Sequence, residues 1–294
     1  MNPDLERLHP YPFEKLGTLF ADLPPSDKSP VAFSIGEPQH PAPDFVQQAL
    51  RDNTALLAKY PGTAGLPELR EAIAGWLTRR FKLQQVSSDH QVLPVNGTRE
   101  ALFAFTQAML DRQRSPLVLM PNPFYQIYEG AALLGGGEPV YLPCTDATGL
   151  QPDFDAVDES TWLRTQVLFI CTPGNPTGAT LSSAQLKALI DLADKYDFVI
   201  ASDECYSEIY RERAPAGLLQ ACAELGRHDY RRCVVFHSLS KRSNLPGLRS
   251  GFVAGGPQST RRIRQLRAYS GAPLPLPLQM AARSFFCRRW NAAK

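Results

Sequence analysis

This sequence has no long apolar run. No stretch approaches the roughly 18 consecutive apolar residues that a membrane-spanning helix needs, and the first ten residues lack an apolar core of signal-peptide length. We therefore expect a cytoplasmic protein without a membrane partner. With 44% hydrophobic and 20% charged residues among 294, the composition is that of an ordinary globular protein.

An excess of one charge is also absent. Basic residues number 31 and acidic residues 29, for a net charge of +2, so no overall field attracts nucleic acid or anionic lipid. One local basic cluster has the spacing of a solvated helix face: Arg261, Arg262, Arg264 and Arg267. The sequence thus predicts no nucleic acid partner.

Paired cysteines are missing as well. The six cysteines are scattered, without a Cys-x-x-Cys pair or a histidine at metal-ligand spacing. They are Cys144, Cys171, Cys205, Cys222, Cys233 and Cys287. We predict neither disulfides nor a bound metal. His237 stands close to Lys241 in the sequence but ends an apolar strand pattern, which favours packing over chemistry.

Strand and helix patterns alternate along the chain. The predicted strands are Gln91 to Val95, Leu117 to Met120, Val167 to Cys171, Phe198 to Ser202, Val234 to His237 and Gly251 to Ala254. The predicted helices are Arg99 to Asp111, Gln126 to Leu134, Ser182 to Tyr196 and Gln258 to Tyr269. This alternation predicts a three-layer α/β/α fold with a mostly parallel central sheet. Ligands of such sheets bind beyond the carboxyl ends of the strands.

The run from Ser238 to Lys241 follows one predicted strand, and Arg249 comes eight residues later. A lysine amine with hydroxyls and an arginine nearby suits a cofactor that carries an aldehyde and a phosphate, such as pyridoxal phosphate. Taken alone, a Ser-Lys pair is more often solvated surface. The other strand ends must therefore decide.

Two loops could supply further contacts to such a cofactor. Gly97 and Thr98 open a helix whose free N–H groups and dipole favour phosphate, although Thr98 could be a plain helix cap. The second loop, residues 172–178, is rigid with proline and glycine, and Asn175 is its only side chain with an amide donor. Turn formation explains the prolines and glycines better than it explains the asparagine.

Asp203 and Tyr206 follow the strand that begins at Phe198. An aspartate behind an apolar strand can keep a pyridine nitrogen protonated, so that the ring withdraws electrons. The tyrosine can donate a hydrogen bond to a ring oxygen. An acidic residue in this position is equally compatible with a helix cap.

Lysine, ring acid, ring-oxygen donor and phosphate donors thus all stand at predicted strand ends. In this combination the sequence resembles the class I and II aminotransferases, members of the fold type I pyridoxal phosphate enzymes, from about residue 30 to about residue 271. The resemblance implies the large domain of a pyridoxal phosphate-dependent transferase. It also implies small-molecule amino-acid and keto-acid substrates.

The same resemblance implies the role of each residue. Lys241 would bond to the cofactor and carry a proton between substrate and cofactor. Asp203 would pair with the ring nitrogen, and Asn175 and Tyr206 with the ring oxygen. The phosphate would be held by Gly97, Thr98, Ser238 and Arg249.

Three more residues match family positions. Tyr125 matches the aromatic residue that stacks on the cofactor ring, and Gly36 lies in the segment near the substrate carboxylate. Tyr60 matches a tyrosine that reaches the phosphate of the partner subunit, which implies a homodimer.

Within the family, three segments resemble the succinyldiaminopimelate transaminases of bacterial lysine biosynthesis. These are residues 8–16, 34–38 and 122–132. The resemblance implies transamination between the pair glutamate and 2-oxoglutarate and the pair formed by N-succinyl-LL-2,6-diaminopimelate and its keto acid. Another aminotransferase, a racemase or a β-lyase would use the same pocket, and an inactive cofactor-binding fragment is a further alternative.

The expected organisation has three parts: an N-terminal arm (1–30), a cofactor-binding large domain (31–271), and a hinge with a truncated or aberrant remnant of a small domain (272–294). Pro273, Pro275 and Pro277 suggest the hinge. Family members continue for roughly another hundred residues, the size of a small domain, and that domain supplies an arginine for the substrate carboxylate. We therefore expect the small domain to be largely missing here.

Overall fold

A computed structural model describes residues 1–24, 26–29, 31, 35–271 and 273–287. Its described part contains one seven-stranded sheet with the order β1-β7-β6-β5-β4-β2-β3. The strands are β1 (Val92–Val95), β2 (Leu117–Asn122), β3 (Glu138–Pro143), β4 (Thr165–Cys171), β5 (Val199–Asp203), β6 (Cys233–Ser238) and β7 (Gly251–Gly255). Because only β7 runs against its neighbours, the carboxyl ends of the other strands share one edge of the sheet.

Helices cover both faces of this sheet. They are α1 (Pro12–Phe20), α2 (Asp44–Asp52), α3 (Pro67–Phe81), α4 (Thr98–Met109), α5 (Ile127–Leu134), α6 (Glu159–Arg164), α7 (Ser183–Tyr196), α8 (Leu218–Glu224), α9 (Leu239–Arg242), α10 (Pro257–Ser270) and α11 (Leu276–Phe286). Buried side chains of α4, α5 and α10 pack on one face, and those of α3, α7, α8 and α11 on the other.

Successive side chains of a strand point to opposite faces of the sheet, which explains why the buried residues divide between two faces. In β4, Val167 and Phe169 point to the face of α4 and α5, whereas Leu168 and Ile170 point to the opposite face. A strand that is apolar on both sides must be covered on both sides. The three-layer α/β/α prediction is confirmed, and so are six of the strands.

The prediction that the basic cluster is solvated is wrong at one of its four arginines. Arg261, Arg262 and Arg264 are exposed as predicted, but Arg267 is buried. It lies four residues after buried Ile263 and therefore on the inner face of α10. Its Nε donates to Glu100 Oε1 at 2.8 Å, and its Nη1 donates to the Pro94 carbonyl at 3.1 Å.

The described residues of the expected remnant, 273–287, form α11, which packs against α2 and α3. Phe285 and Phe286 are buried in that contact. The division of the chain into arm, large domain and remnant stays a prediction. Over the residues that the structure describes, no helix is long and apolar enough to cross a membrane, and no group of three or more potential ligands could hold a metal ion.

Candidate cofactor site

One edge of the sheet gathers the residues singled out in the sequence. Gly97 follows β1, Tyr125 follows β2, Asn175 follows β4, and Tyr206 follows β5. Lys241 lies just after β6. Because β7 is antiparallel, the residue shortly before it, Arg249, reaches the same edge.

Lys241 lies in α9, a single turn that begins directly after β6. Ser238 caps this turn: its Oγ accepts from the Ser240 N–H at 3.0 Å. The Lys241 amine donates to the carbonyl of Gly36. The structure therefore brings together the proposed catalytic lysine and the glycine that was predicted near the substrate.

Gly97 and Arg249 form a small cradle beside the lysine. Gly97 has φ +84°, a conformation that favours glycine, and a Cβ added there would collide with the Arg249 guanidinium. Arg249 Nη1 donates to the Pro246 carbonyl at 2.9 Å and lies 3.5 Å from Ser240 Oγ. Open backbone N–H groups and a guanidinium at the start of α4 suit a phosphate.

Thr98 is not the helix cap that the sequence allowed as an alternative. Gly97 occupies the cap position, and Thr98 is the first residue of α4. The Thr98 hydroxyl lies 3.3 Å from the Cys205 sulfur. This contact links the start of α4 to the segment that follows β5.

Asp203 ends β5 as a buried carboxylate. Its Oδ2 accepts from the Tyr128 hydroxyl at 2.8 Å, and its Oδ1 from the Cys205 N–H at 3.2 Å. Burial raises the pKa of Asp203, and the hydrogen bonds from Cys205 and Tyr128 oppose that rise. The second bond is a turn contact within the segment after β5, and no helix of the described chain begins there.

Two tyrosines lie beside Asp203. Tyr125 is half-buried, and its hydroxyl accepts from Arg99 Nε at 2.8 Å. Burial raises the pKa of Tyr125 although Arg99 lowers it. Burial and the charge of Asp203 also raise the pKa of Tyr206. Both phenols are therefore neutral hydrogen-bond donors at physiological pH.

Asn175 is half-buried in a loop closed by two backbone bonds. Gly174 N donates to the Ala179 carbonyl, and Gly178 N donates to the Gly174 carbonyl, each at 2.8 Å. Tyr60 differs from the other candidates, because its side chain is fully exposed. The structure does not bring Tyr60 to the cradle of its own chain.

His237 points away from the cradle, into an aromatic cluster with Trp76 and Phe252 at ring distances of 5.2 and 5.0 Å. Its Nε2 lies 3.3 Å from Oε2 of buried Glu204. The interpretation as a packing residue is confirmed.

Sequence reasoning missed two residues of this region, Tyr128 and Cys205. Tyr128 reads as an ordinary apolar position of α5, and its partner Asp203 is 75 residues away. One signal was available, since Tyr125 and Tyr128 are three residues apart at the start of a helix and so share a side.

Comparisons with known proteins show the family to which the chain belongs. The family model for aminotransferase class I and II matches residues 28–284. LL-diaminopimelate aminotransferase of Desulforudis audaxviator is 32% identical over 269 residues, which are 90% of this chain and 66% of that protein. The enzyme of the same name from Dehalococcoides mccartyi is 30% identical, over 95% of this chain and 70% of its own length.

Solved structures show the same relationship. An aminotransferase from Neisseria meningitidis is 46% identical, with a TM-score of 0.94 over 99% of this chain and 74% of that one. An aminotransferase from Helicobacter pylori is 38% identical, with a TM-score of 0.90 over 96% and 74%. The chain belongs to the aminotransferase class I and II family, whose cofactor is pyridoxal phosphate. It spans about two thirds of the length of the two diaminopimelate relatives.

The residues of the site fit this cofactor. The absence of a side chain at Gly97 lets the Arg249 guanidinium approach the backbone at the start of α4. A buried carboxylate and a lysine amine lie at the same sheet edge. Such groups could serve as a seat for an anion, a partner for a ring nitrogen and an amine for an aldehyde, which are the groups that the cofactor requires.

Proposed function

We propose that this chain is a pyridoxal phosphate-dependent transaminase that exchanges an amino group between glutamate and a keto acid of the diaminopimelate type. The observation that carries the proposal is the convergence of Lys241, Asp203 and the Gly97–Arg249 cradle at one sheet edge. Each comes from a different strand end, so chance clustering is a poor explanation.

When bound, pyridoxal phosphate supplies an aldehyde carbon and an electron-withdrawing ring. Lys241 is the amine that can hold it covalently and, once released, take the proton from the substrate α-carbon. Asp203 keeps the ring nitrogen protonated, Asn175 and Tyr206 bond the ring oxygen, Tyr125 stacks on the ring, and Gly97, Thr98, Ser238 and Arg249 hold the phosphate.

For the substrate we propose N-succinyl-LL-2,6-diaminopimelate, on the likeness of residues 8–16, 34–38 and 122–132. The names of the relatives support free LL-diaminopimelate as a second candidate. The two molecules share the amino-acid end that would meet Gly36 and differ in the charge of the distal end. Direct comparison of the two as substrates decides between them.

The test is a half-reaction of the purified chain. Reconstituted with pyridoxal phosphate, it should show the visible absorbance of lysine-bound cofactor, and glutamate should bleach it as 2-oxoglutarate forms. Lys241→Ala should lose both the absorbance and the turnover, whereas Lys195→Ala, at an exposed lysine of α7, should keep both. Retained transamination in Lys241→Ala would contradict the proposal.

The half-reaction also separates the rival functions. A racemase or a β-lyase would consume an amino acid without producing 2-oxoglutarate from glutamate. An inactive fragment would bind the cofactor and leave glutamate untouched. Cofactor binding without amino-group transfer, racemisation or elimination would therefore limit the function to cofactor binding.

We also propose that residues 31–271 form the cofactor-binding unit and that the protein acts as a homodimer. The full exposure of Tyr60 supports the dimer, since a side chain that serves a partner must be free of its own core. Sedimentation velocity at micromolar concentration measures the assembly. A monomer that binds pyridoxal phosphate with full affinity would contradict the role of Tyr60.

A further inference from the structure

Tyr128 and Asp203 form the most deeply buried polar pair of the site. The Tyr128 side chain has no exposed surface, and Asp203 is nearly as enclosed. The hydroxyl donates to Oδ2 at 2.8 Å. A buried hydroxyl without an acceptor costs free energy, so this bond satisfies both groups at once.

Packing fixes the position of the hydroxyl. The Tyr128 ring stacks on Phe169 of β4, with centroids 4.6 Å apart and an angle of 11° between the planes. Tyr125 lies edge-on to the Tyr128 ring, with centroids 5.9 Å apart. Because these aromatic neighbours restrict the ring, the O–H points at a defined carboxylate oxygen.

The carboxylate needs such a donor. Burial alone favours neutral Asp203, and a neutral carboxyl cannot stabilise a protonated ring nitrogen. The groups around Asp203 that can titrate are Cys171, Cys205, His237 and the tyrosines Tyr125, Tyr128 and Tyr206. Burial raises the pKa of the two thiols and of the three phenols, so these groups stay neutral and cannot replace the hydrogen bond by charge. The charge of His237 also acts to lower the pKa of Asp203, which leaves the orientation of the carboxylate to the hydrogen bonds.

We propose that Tyr128 is a positioning residue, whose hydroxyl holds Asp203 as an oriented carboxylate toward the ring nitrogen of the cofactor. The proposal rests on the proposed function, because only a ring-bearing cofactor gives Asp203 something to face. Tyr128 also contacts Tyr125, the residue proposed to stack on that ring. One side chain thus connects two of the proposed cofactor contacts.

Tyr128→Phe removes only the hydroxyl and keeps the ring on Phe169. A hydrogen bond to a charged group is worth enough that its loss should weaken cofactor binding about 10-fold and lower kcat about 10-fold or more. The KM for glutamate should change by less than about 3-fold, because Tyr128 is behind Asp203 and not beside Gly36. The absorbance of the cofactor bonded to Lys241 changes with pH, and the midpoint of this change should rise. The reason is that a ring nitrogen that is protonated less often withdraws less electron density from the bond to the lysine.

Tyr230→Phe is the matched control. Tyr230 is as buried as Tyr128, and its hydroxyl bonds the Gln85 carbonyl at 3.1 Å, outside the cofactor site. It should lose stability like Tyr128→Phe but keep the cofactor affinity, the kcat and the absorbance midpoint. If the two variants change these quantities alike, Tyr128 has a structural role only and the inference is overturned.

A double-mutant cycle with Asp203→Asn isolates the contact. In the Asp203→Asn background, Tyr128→Phe should weaken cofactor binding by less than about 2-fold. Additive losses would overturn the inference. A wild-type chain that binds no pyridoxal phosphate would refute the proposed function and the inference together, whereas normal wild-type binding with additive losses would refute the inference alone.

Discussion

Arg242 is a buried cation directly after the lysine of the site. Its guanidinium lies 4.2 Å above the Trp76 ring, and its nearest carboxylate oxygen among the described residues is Glu208 Oε2 at 4.0 Å. Glu208 already accepts from Arg80 Nε at 2.6 Å. Burial lowers the pKa of Arg242 to about 10, so the residue is still a cation at neutral pH.

This environment predicts that the charge of Arg242 adds little stability. Arg242→Met keeps an unbranched apolar side chain at this position, and it removes an imperfectly paired charge together with the cation–π contact to Trp76. We expect the free energy of unfolding to change by less than about 1 kcal/mol. Arg80→Met should cost about 3 kcal/mol, because it leaves Glu208 without its close partner.

Denaturant unfolding of both variants measures the difference. A loss for Arg242→Met as large as that for Arg80→Met would show that the buried charge itself is stabilising. Activity is a separate measurement, since Arg242 is adjacent to Lys241 and could affect the orientation of α9.

Local residue patterns were enough to predict Lys241, Asp203 and Gly97, because each follows a strand whose apolar run can be read from the sequence. Tyr128 could not be predicted in this way. Its contact with Asp203 joins α5, which follows β2, to the end of β5, and β4 lies between these two strands. No local pattern encodes such a contact. The proposed roles of these residues stay predictions until the variants are measured.

Helix α7 shows how an element begins where its own residues satisfy its first N–H groups. Ser182 Oγ accepts from the Gln185 N–H at 3.3 Å, and Gln185 Oε1 accepts from the Ser182 N–H at 2.9 Å. This reciprocal pair is a capping box. It explains why the sequence predicted the start of this helix to within one residue.

Ser182→Ala should therefore lower the free energy of unfolding by about 1 kcal/mol. The control is Ser270→Ala, at an exposed serine that ends α10, where we expect less than about 0.5 kcal/mol. Thermal or denaturant unfolding compares the two. Equal effects would mean that the capping box does not stabilise α7.

Several elements escaped prediction, and for two of them, β3 and α11, the physical reason is plain. Strand β3 lies at the sheet edge, contains Pro139 and Pro143, and has only Leu142 fully buried, so its apolar pattern is weak. Helix α11 begins one residue before Pro277, which is tolerated there because the first turn of a helix needs no intrahelical N–H donor. The prolines that suggested a hinge are compatible with a helix start.

At the scale of the whole molecule, one aromatic cluster joins distant parts of the chain. Trp76 of α3, His237 of β6, Phe252 of β7 and Phe286 of α11 meet at ring distances of 5.0 to 6.0 Å. The order of the strands and this long-range packing cannot be read from local periodicity, because they depend on which faces meet after folding. The cluster ties α11 to the strand that leads to Lys241.

Phe286→Ala tests whether α11 is part of this core. Phe286 is 2% exposed and packs edge-on against Phe252 at 5.6 Å, so its removal should cost about 3 to 5 kcal/mol through lost contacts and a cavity. Phe20→Ala is the control, because Phe20 of α1 is 56% exposed and should cost less than about 1 kcal/mol. Denaturant unfolding gives both values. A small loss for Phe286→Ala would mean that residues 276–286 are an appendage to the fold, whereas the expected loss would make them integral to the layer that supports the cofactor site.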